Sequence, residues 1–198
     1  MPAPSKVTPG ALRRAGREVL EQRGPSGLTM QSVATVLGVR APSLYKHVRD
    51  RDDLVRVVAE DVAGELGALL DAALEGSAGA ADAARSLAAS ARRFALANPH
   101  GYGLLFGPLP DGARVRGSAL ERSSLALLEV SRRLVGESEA LEAARTLTAW
   151  LHGFTSMELA GAFRLGGSVD DAWSYGLEHL IRGLGGSRPA AAGPATTP

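Results

Sequence analysis

Residues 29–48 read TMQSVATVLGVRAPSLYKHV, and this stretch decides the fold. Thr29 offers a side-chain oxygen suited to a helix N-cap, and a short helix follows through Leu37. Gly38 breaks it, since glycine tolerates the positive φ that a tight interhelical turn often needs. A third short helix is expected from about Ala41 to Val48. Val33, Leu37, Val39, Leu44 and Val48 then fall inside, with the small Ala34 where the helices cross. Two short helices meeting at a glycine with this apolar spacing form a helix-turn-helix pattern.

The angle per residue gives the outer face of that third helix. With Leu44 and Val48 turned inward, Pro42 and Lys46 point most directly outward. Ser43 and Tyr45 lie on the flanks, and His47 sits nearer the core. A recognition helix enters the major groove on small or polar groups near its N-terminus. Ala41, Pro42 and Ser43 are small enough, and Ala41 or Pro42 can touch a thymine methyl. Lys46 reaches a guanine edge or a phosphate. Tyr45 and His47 can donate to phosphate oxygens from the groove wall.

Outward from this motif the chain reads as all-α. No proline occurs between Ser43 and Asn98 or between Asp111 and Arg188, and alanine and leucine dominate both spans. Alternating strand patterns are nearly absent, and Ile181 is the one isoleucine. Upstream, Thr8-Pro9 marks a helix start, Leu12, Ala15, Val19 and Leu20 form its apolar stripe, and Gly24 ends it. Downstream, Asp50 with Asp53 resembles a capping box for a long helix carrying Leu54, Val58, Val62, Leu66 and Leu69. Further helices are expected near 80–97, 101–106, 119–135, 139–165 and 169–184, about nine in all. Ser118 with Glu121, and Ser168 with Asp171, cap two of them. The expected domains are a helix-turn-helix DNA-binding domain over 1–50, a helical regulatory and dimerisation domain over 51–185, and a disordered tail over 186–198.

Charge divides the chain in the same way. The formal net charge of the 198 residues is +1. Residues 1–49 carry eight basic residues against Glu18 and Glu21, a net +6, and the remainder is −5. A basic head on a mildly acidic body indicates a polyanion-binding module. Arg13, Arg14 and Arg17 on the first helix read as solvated or diffusely electrostatic rather than specific.

The stretch GLTMQSVATVLGVRAPSLYKHVRDRDDL resembles the DNA-binding domain of the tetracycline-repressor (TetR) family, whose hallmark is the small-Leu-Tyr-x-His string seen here as SLYKHV. The resemblance covers about Thr8 to Val62. It implies base contacts from Gln31, Ala41, Pro42 and Ser43, and phosphate contacts from Thr29, Tyr45, His47 and Arg51. Ala41 stands where some members place a polar base-reading side chain, which shifts hydrogen-bond readout to Arg40, Ser43 or Lys46. Val48 replaces a frequent phenylalanine.

In the body, small residues recur at Ala149, Gly153, Ser156 and Ala160, giving one helix face that a second helix can approach closely. Trp150, Phe154 and Met157 occupy the neighbouring face. The final helix shows Trp173, Leu177, Leu180, Ile181 and Leu184, with Ala172, Gly176 and Gly183 as its small stripe. Such a pair suggests a dimer-forming bundle, with Ala149, Gly153, Ser156, Ala160, Trp173, Gly176, Leu177 and Leu180 at the interface. TetR-family resemblance implies the same, a four-helix bundle across a two-fold axis. The Trp-x-His-Gly string at 150–153, with ANPHGYGLLFG at 97–107, is similar to the C-terminal domain type named for that motif. The family also implies an effector pocket. Candidates are Phe94, Tyr102, Leu105, Phe106, Leu127, Trp150, Phe154 and Met157, although for each taken singly plain core packing is the better reading. His152 reads as a satisfied core histidine.

Other classes fall away. The chain has no cysteine, so disulfides, thiolate ligands and a cysteine nucleophile are excluded, in keeping with a reducing cytosol. His47, His100, His152 and His179 share no metal-ligand spacing, no phosphate loop or nucleophile elbow is present, and Glu158 with Glu178 has no supporting feature for acid–base work. No enzyme activity, metal or cofactor is expected. The N-terminus lacks a signal-peptide core, and the longest uncharged stretch, Phe94 to Pro110, is broken by three prolines. The expectation is a cytoplasmic, homodimeric repressor that binds palindromic double-stranded operator DNA and is released by a small apolar effector. A ligand-independent dimeric regulator and a helical protein–protein interaction module remain as alternatives.

Overall fold

The computed structural model describes residues 7–107, 111–113 and 118–186. Every regular element among them is helical. α1 (Pro9–Gly27), α2 (Met30–Leu37), a 3₁₀ segment (Ala41–Lys46), α3 (Arg51–Leu74), α4 (Ala80–Ala97), α5 (Pro99–Phe106), α6 (Ser118–Val135), α7 (Ala140–Leu159) and α8 (Val169–Gly186) follow in order. Single 3₁₀ turns lie at Asp111–Ala113 and Glu137–Glu139. Two compact units result. One runs to Ala72 and takes in Ser90–Ser124; the other joins Ala73–Ala89 to the residues from Leu125 onward. The expected tail lies outside the described residues, apart from Gly186, and the side chains of the expected Ser118–Glu121 cap are likewise outside what is described.

In the first unit, Thr8 Oγ1 accepts from the Ala11 N–H at 3.1 Å and Pro9 opens α1, as the sequence predicts. Gly24, at φ 69°, kinks the helix, and one more turn follows across Pro25. Leu12, Val19 and Leu20 are almost fully buried with Leu28, Val33, Leu54, Val58 and Val62. α1 and α3 approach closely at Gly16, where a Cβ would lie 2.4 Å from Val58 Cγ2. α1 is also fastened to the start of α5. The Glu21 carboxylate accepts from the His100 N–H at 3.1 Å and the Gly101 N–H at 2.7 Å, a negative charge on orphan donors at a helix N-terminus. Arg17 Nη2 donates to Asn98 Oδ1 at 2.9 Å.

The second unit gathers Leu87 of α4, Val130 of α6, Leu147 and Leu151 of α7, and Trp173, Leu177 and Ile181 of α8 into its core. Arg85 holds Glu178 with two hydrogen bonds, 2.6 Å from Nε to Oε1 and 3.0 Å from Nη2 to Oε2, bridging α4 and α8. These bonds keep the Glu178 carboxyl below its usual range. α7 stops at Leu159, six residues short of the predicted end at 165. Gly161 takes φ 61°, its N–H bonds Glu158 O, and the Ala162 N–H bonds Met157 O. This is a Schellman ending, and the sequence signal for it was the glycine at the position just past the cap. Ser168 Oγ then accepts from the Asp171 N–H at 3.2 Å to start α8, as expected.

Candidate nucleic-acid interface

The helix-turn-helix is held by short-range hydrogen bonds that the sequence largely encodes. Thr29 Oγ1 accepts from the Ser32 N–H at 3.1 Å, and Ser32 Oγ accepts from the Thr29 N–H at 3.0 Å, a reciprocal capping box. Ser32 was missed as the second half of this box, although a Thr-x-x-Ser pattern carries it. Gly38 closes α2 at φ 64°, ψ 38°, with its N–H on Thr35 O and the Val39 N–H on Ala34 O. Gln31 is exposed on α2.

The predicted third helix is a 3₁₀ segment instead, ending at Lys46. Its Ser43 N–H bonds Arg40 O at 2.9 Å and its His47 N–H bonds Leu44 O at 2.8 Å. Three residues per turn change which side chains align. Pro42 stands over Tyr45, and Ser43 over Lys46, so the outer face consists of two adjacent columns. Leu44 and Val48 turn inward at 0% and 2% exposure, as predicted. Arg40, Pro42, Lys46 and the 57%-exposed Tyr45 face solvent, while Ala41 and Ser43 are half-buried. His47 is exposed rather than near the core, because it caps the 3₁₀ segment at φ −119° and leaves the helical path on which the angle was reckoned.

α3 anchors the segment from below. Asp50 Oδ1 accepts from the Asp53 N–H at 2.8 Å, as a cap should. The buried Asp53 carboxylate reaches one residue further back than a capping box would, accepting from the Arg49 N–H at 3.0 Å. Arg56 donates to its other oxygen. The Arg49 backbone hydrogen bond and then the Arg56 guanidinium lower the Asp53 pKa below the usual carboxylate value. Arg51, expected at a phosphate, directs Nε to Leu28 O at 3.1 Å and Nη2 to Pro25 O at 2.8 Å.

The charge of the head is partitioned. Arg13 pairs with Asp61 at 3.2 Å while staying exposed, and Arg17 pairs with Glu65 at 2.8 Å and is half-buried, so both α1 arginines face acids of α3. Arg14, Arg23, Arg40 and Lys46 are exposed, and Arg49 Nε lies 3.6 Å from Asp53 Oδ2. A surface groove of about 490 Å³ beside these pairs is lined by Arg13, Val57, Glu60, Asp61, Gly64 and Glu65, and includes none of the expected effector residues.

Those effector candidates fall in both units. In the first, Phe94 and Tyr102 are buried, Leu105 is half-buried and Phe106 is 44% exposed, with the Tyr102 and Phe106 ring centroids 4.8 Å apart. Burial pushes the Tyr102 phenol up to about 12. In the second, Trp150 and Phe154 are half-buried, their centroids 5.5 Å apart, and both stack against Trp173. Phe163, absent from the expected set, joins at 4.8 Å from Phe154. Leu127 is half-buried and Met157 is exposed. His152 is half-buried, with Nδ1 3.4 Å from Ser156 Oγ, and burial lowers its pKa.

The residues expected at a dimer interface also divide. Ala149, Gly153 and Ala160 are exposed along α7, and Ser156 is half-buried there. Trp173 and Leu177 lie in the protomer's own core, and Leu180 is half-buried. Gly176 lies under the Trp150 ring. Among the described residues no group of His, Asp or Glu could hold a metal ion, and no helix is long and apolar enough to cross a membrane.

Comparison with known proteins agrees with this arrangement. A family model described as bacterial regulatory proteins, tetR family, matches residues 12–58. A second, tetracyclin repressor-like C-terminal domain, matches residues 84–180. An HTH-type transcriptional regulator of Mycobacterium tuberculosis is 32% identical over 80% of this chain and 73% of its own length. A structure of a Rhodococcus protein of unknown function superposes with a TM-score of 0.77 at 25% identity, over 93% of this chain and 99% of that one. The fold is likewise that of an Acinetobacter baumannii TetR variant solved with minocycline, with a TM-score of 0.70 at 22% identity over 93% and 99% of the two chains. With a helix-turn-helix at one end and a matching helical domain at the other, the chain belongs to the TetR family of DNA-binding transcriptional regulators and is not an enzyme.

Proposed function

We propose that the protein is a cytoplasmic homodimeric repressor that binds a palindromic operator and is released from it by a small apolar effector. The exposed Pro42, Tyr45 and Lys46, with the half-buried Ser43 beside them, carry this reading. They place small groups and a cation along one short segment, which is what major-groove entry requires. Base contacts then come from Gln31, Arg40, Ala41, Pro42, Ser43 and Lys46, and phosphate contacts from Thr29, Tyr45 and His47. DNA selection with the purified protein tests it. A two-fold symmetric site with half-sites about one helical turn apart is the expected outcome. Selection of asymmetric sequence, or none, overturns it and favours a protein-binding head.

The exposed small residues Ala149, Gly153 and Ala160 support dimerisation through α7 with α8, since close helix approach across a two-fold axis needs small side chains. Effector release requires that the ligand bind the two head spacings with a difference of roughly 1–3 kcal/mol. The mutual stacking of Trp150, Phe154, Phe163 and Trp173 favours a second reading, in which these rings fill their own space and the regulator acts without a ligand. A thermal-shift screen with aromatic and aliphatic small molecules separates the two.

A further inference from the structure

The first residue of α3 is bound to the turn that precedes α2. Arg51 Nε donates to Leu28 O at 3.1 Å and Nη2 to Pro25 O at 2.8 Å. Pro25 O also receives the Leu28 N–H at 3.3 Å, so the guanidinium closes a turn whose ends are already joined. A guanidinium holds its donors in one rigid plane, and two of them on two carbonyls fix the turn in both position and orientation. The Leu28 side chain is fully buried and pins the same turn from the other side. The next residue is Thr29, the N-cap of α2. Two residues along α3, Asp53 holds the Arg49 N–H at the exit of the recognition segment. One turn of α3 therefore grips both ends of the helix-turn-helix.

Resting on the DNA-binding reading above, we propose that Arg51 is a positioning residue for operator binding. It sets α2, and with it Thr29 and Gln31, against the recognition segment, and it neutralises no phosphate. A guanidinium turned to a phosphate would give up two charge-assisted hydrogen bonds to backbone carbonyls. Lysine separates the two roles, because a single ammonium retains the charge that a phosphate needs but lacks the planar fork that spans two carbonyls.

The test compares Arg51→Lys, Arg51→Ala and the unaltered chain on a duplex obtained by DNA selection, with dissociation constants measured across a salt series. Amide hydrogen exchange of the free proteins is followed over residues 28–32. Positioning predicts that Arg51→Lys loses affinity alongside Arg51→Ala, on the order of tenfold. The slope of log K against log salt stays unchanged in both, and exchange over residues 28–32 quickens. A phosphate contact predicts instead that Arg51→Ala loses about 0.9 of slope while Arg51→Lys binds like the unaltered chain; that pattern overturns the proposal. Unchanged exchange in Arg51→Lys overturns it too. If Arg51→Ala does not fold, Arg51→Lys alone decides between the two patterns. Failure of the unaltered chain to bind any duplex overturns the DNA-binding reading, and this role with it, and is distinguished from the other outcomes by the unaltered chain's own titration.

Discussion

Glycine does different work in the two ends of this molecule. In the helix-turn-helix, Gly38 sits at φ 64° and marks a turn that its own neighbours complete, through Thr35 O and Ala34 O. In α7 and α8, Gly153 and Gly176 are both helical, and only what lies over them tells them apart. A Cβ on Gly176 would lie 2.5 Å from Trp150 Cζ2, whereas a Cβ on Gly153 would meet nothing within 4 Å. The head is specified by contacts a few residues apart. The helix pair is specified by side chains from different helices, and identical residues there have unlike roles.

The largest expected effects come from removing the anchor of each region. Trp173→Ala should cost about 3–5 kcal/mol of unfolding free energy, since the ring is buried and stacked on Trp150 and Phe154. Leu44→Ala should cost about 2–5 kcal/mol, because Leu44 is wholly buried in the head. Denaturant titrations of the two variants measure both. A loss under 1 kcal/mol at either position would mean that the region tolerates a vacated core, and the contrast between the ends would fail there.

Asp53 comes next, as a buried acid that ties the recognition segment to α3. Its carboxyl is held below the usual value by the Arg49 N–H and by Arg56. A depressed folded pKa stabilises fully above the unfolded value, and that contribution disappears as pH falls through the folded pKa. Asp53→Asn should therefore lower stability at neutral pH by roughly 1.5–3 kcal/mol. It should also remove part of the acid-induced loss expected below roughly pH 4. Equal acid limbs for the two proteins would show that the Asp53 charge does not contribute.

The same distinction explains how far the sequence could be read. Thr8, Thr29, Gly38 and Ser168 act on backbone groups a few residues away, so their residue type and spacing stated their roles. The inward Leu44 and Val48 followed from period alone. The 3₁₀ geometry of Ala41–Lys46 did not, because apolar positions three or four apart suit either helix and the choice is made by packing. The ion pairs of Arg13 and Arg17 were not legible because their partners, Asp61 and Glu65, lie about fifty residues away in sequence. The net charge of the head was legible, but its placement was not. The contact of Gly176 with the Trp150 ring was hidden for the same reason, since nothing near it in sequence announces that ring.

Substitutions at two glycines sharpen the comparison further. Gly176→Ala forces a methyl toward Trp150 and should cost about 1–3 kcal/mol as overpacking, with a lower melting temperature whatever the oligomeric state. Gly153→Ala adds a methyl to an exposed helical position over open space. Within one protomer it should be neutral or stabilising by about 0.5–1 kcal/mol, because alanine has the better helix propensity. Gly153→Leu keeps that propensity while adding bulk, so a protomer that folds normally but no longer self-associates by light scattering would place Gly153 in a close two-fold contact. A Gly153→Leu protein that remains a dimer would move the interface off the α7 stripe, and a Gly153→Ala protein that melts early would show that the open space over this helix is filled.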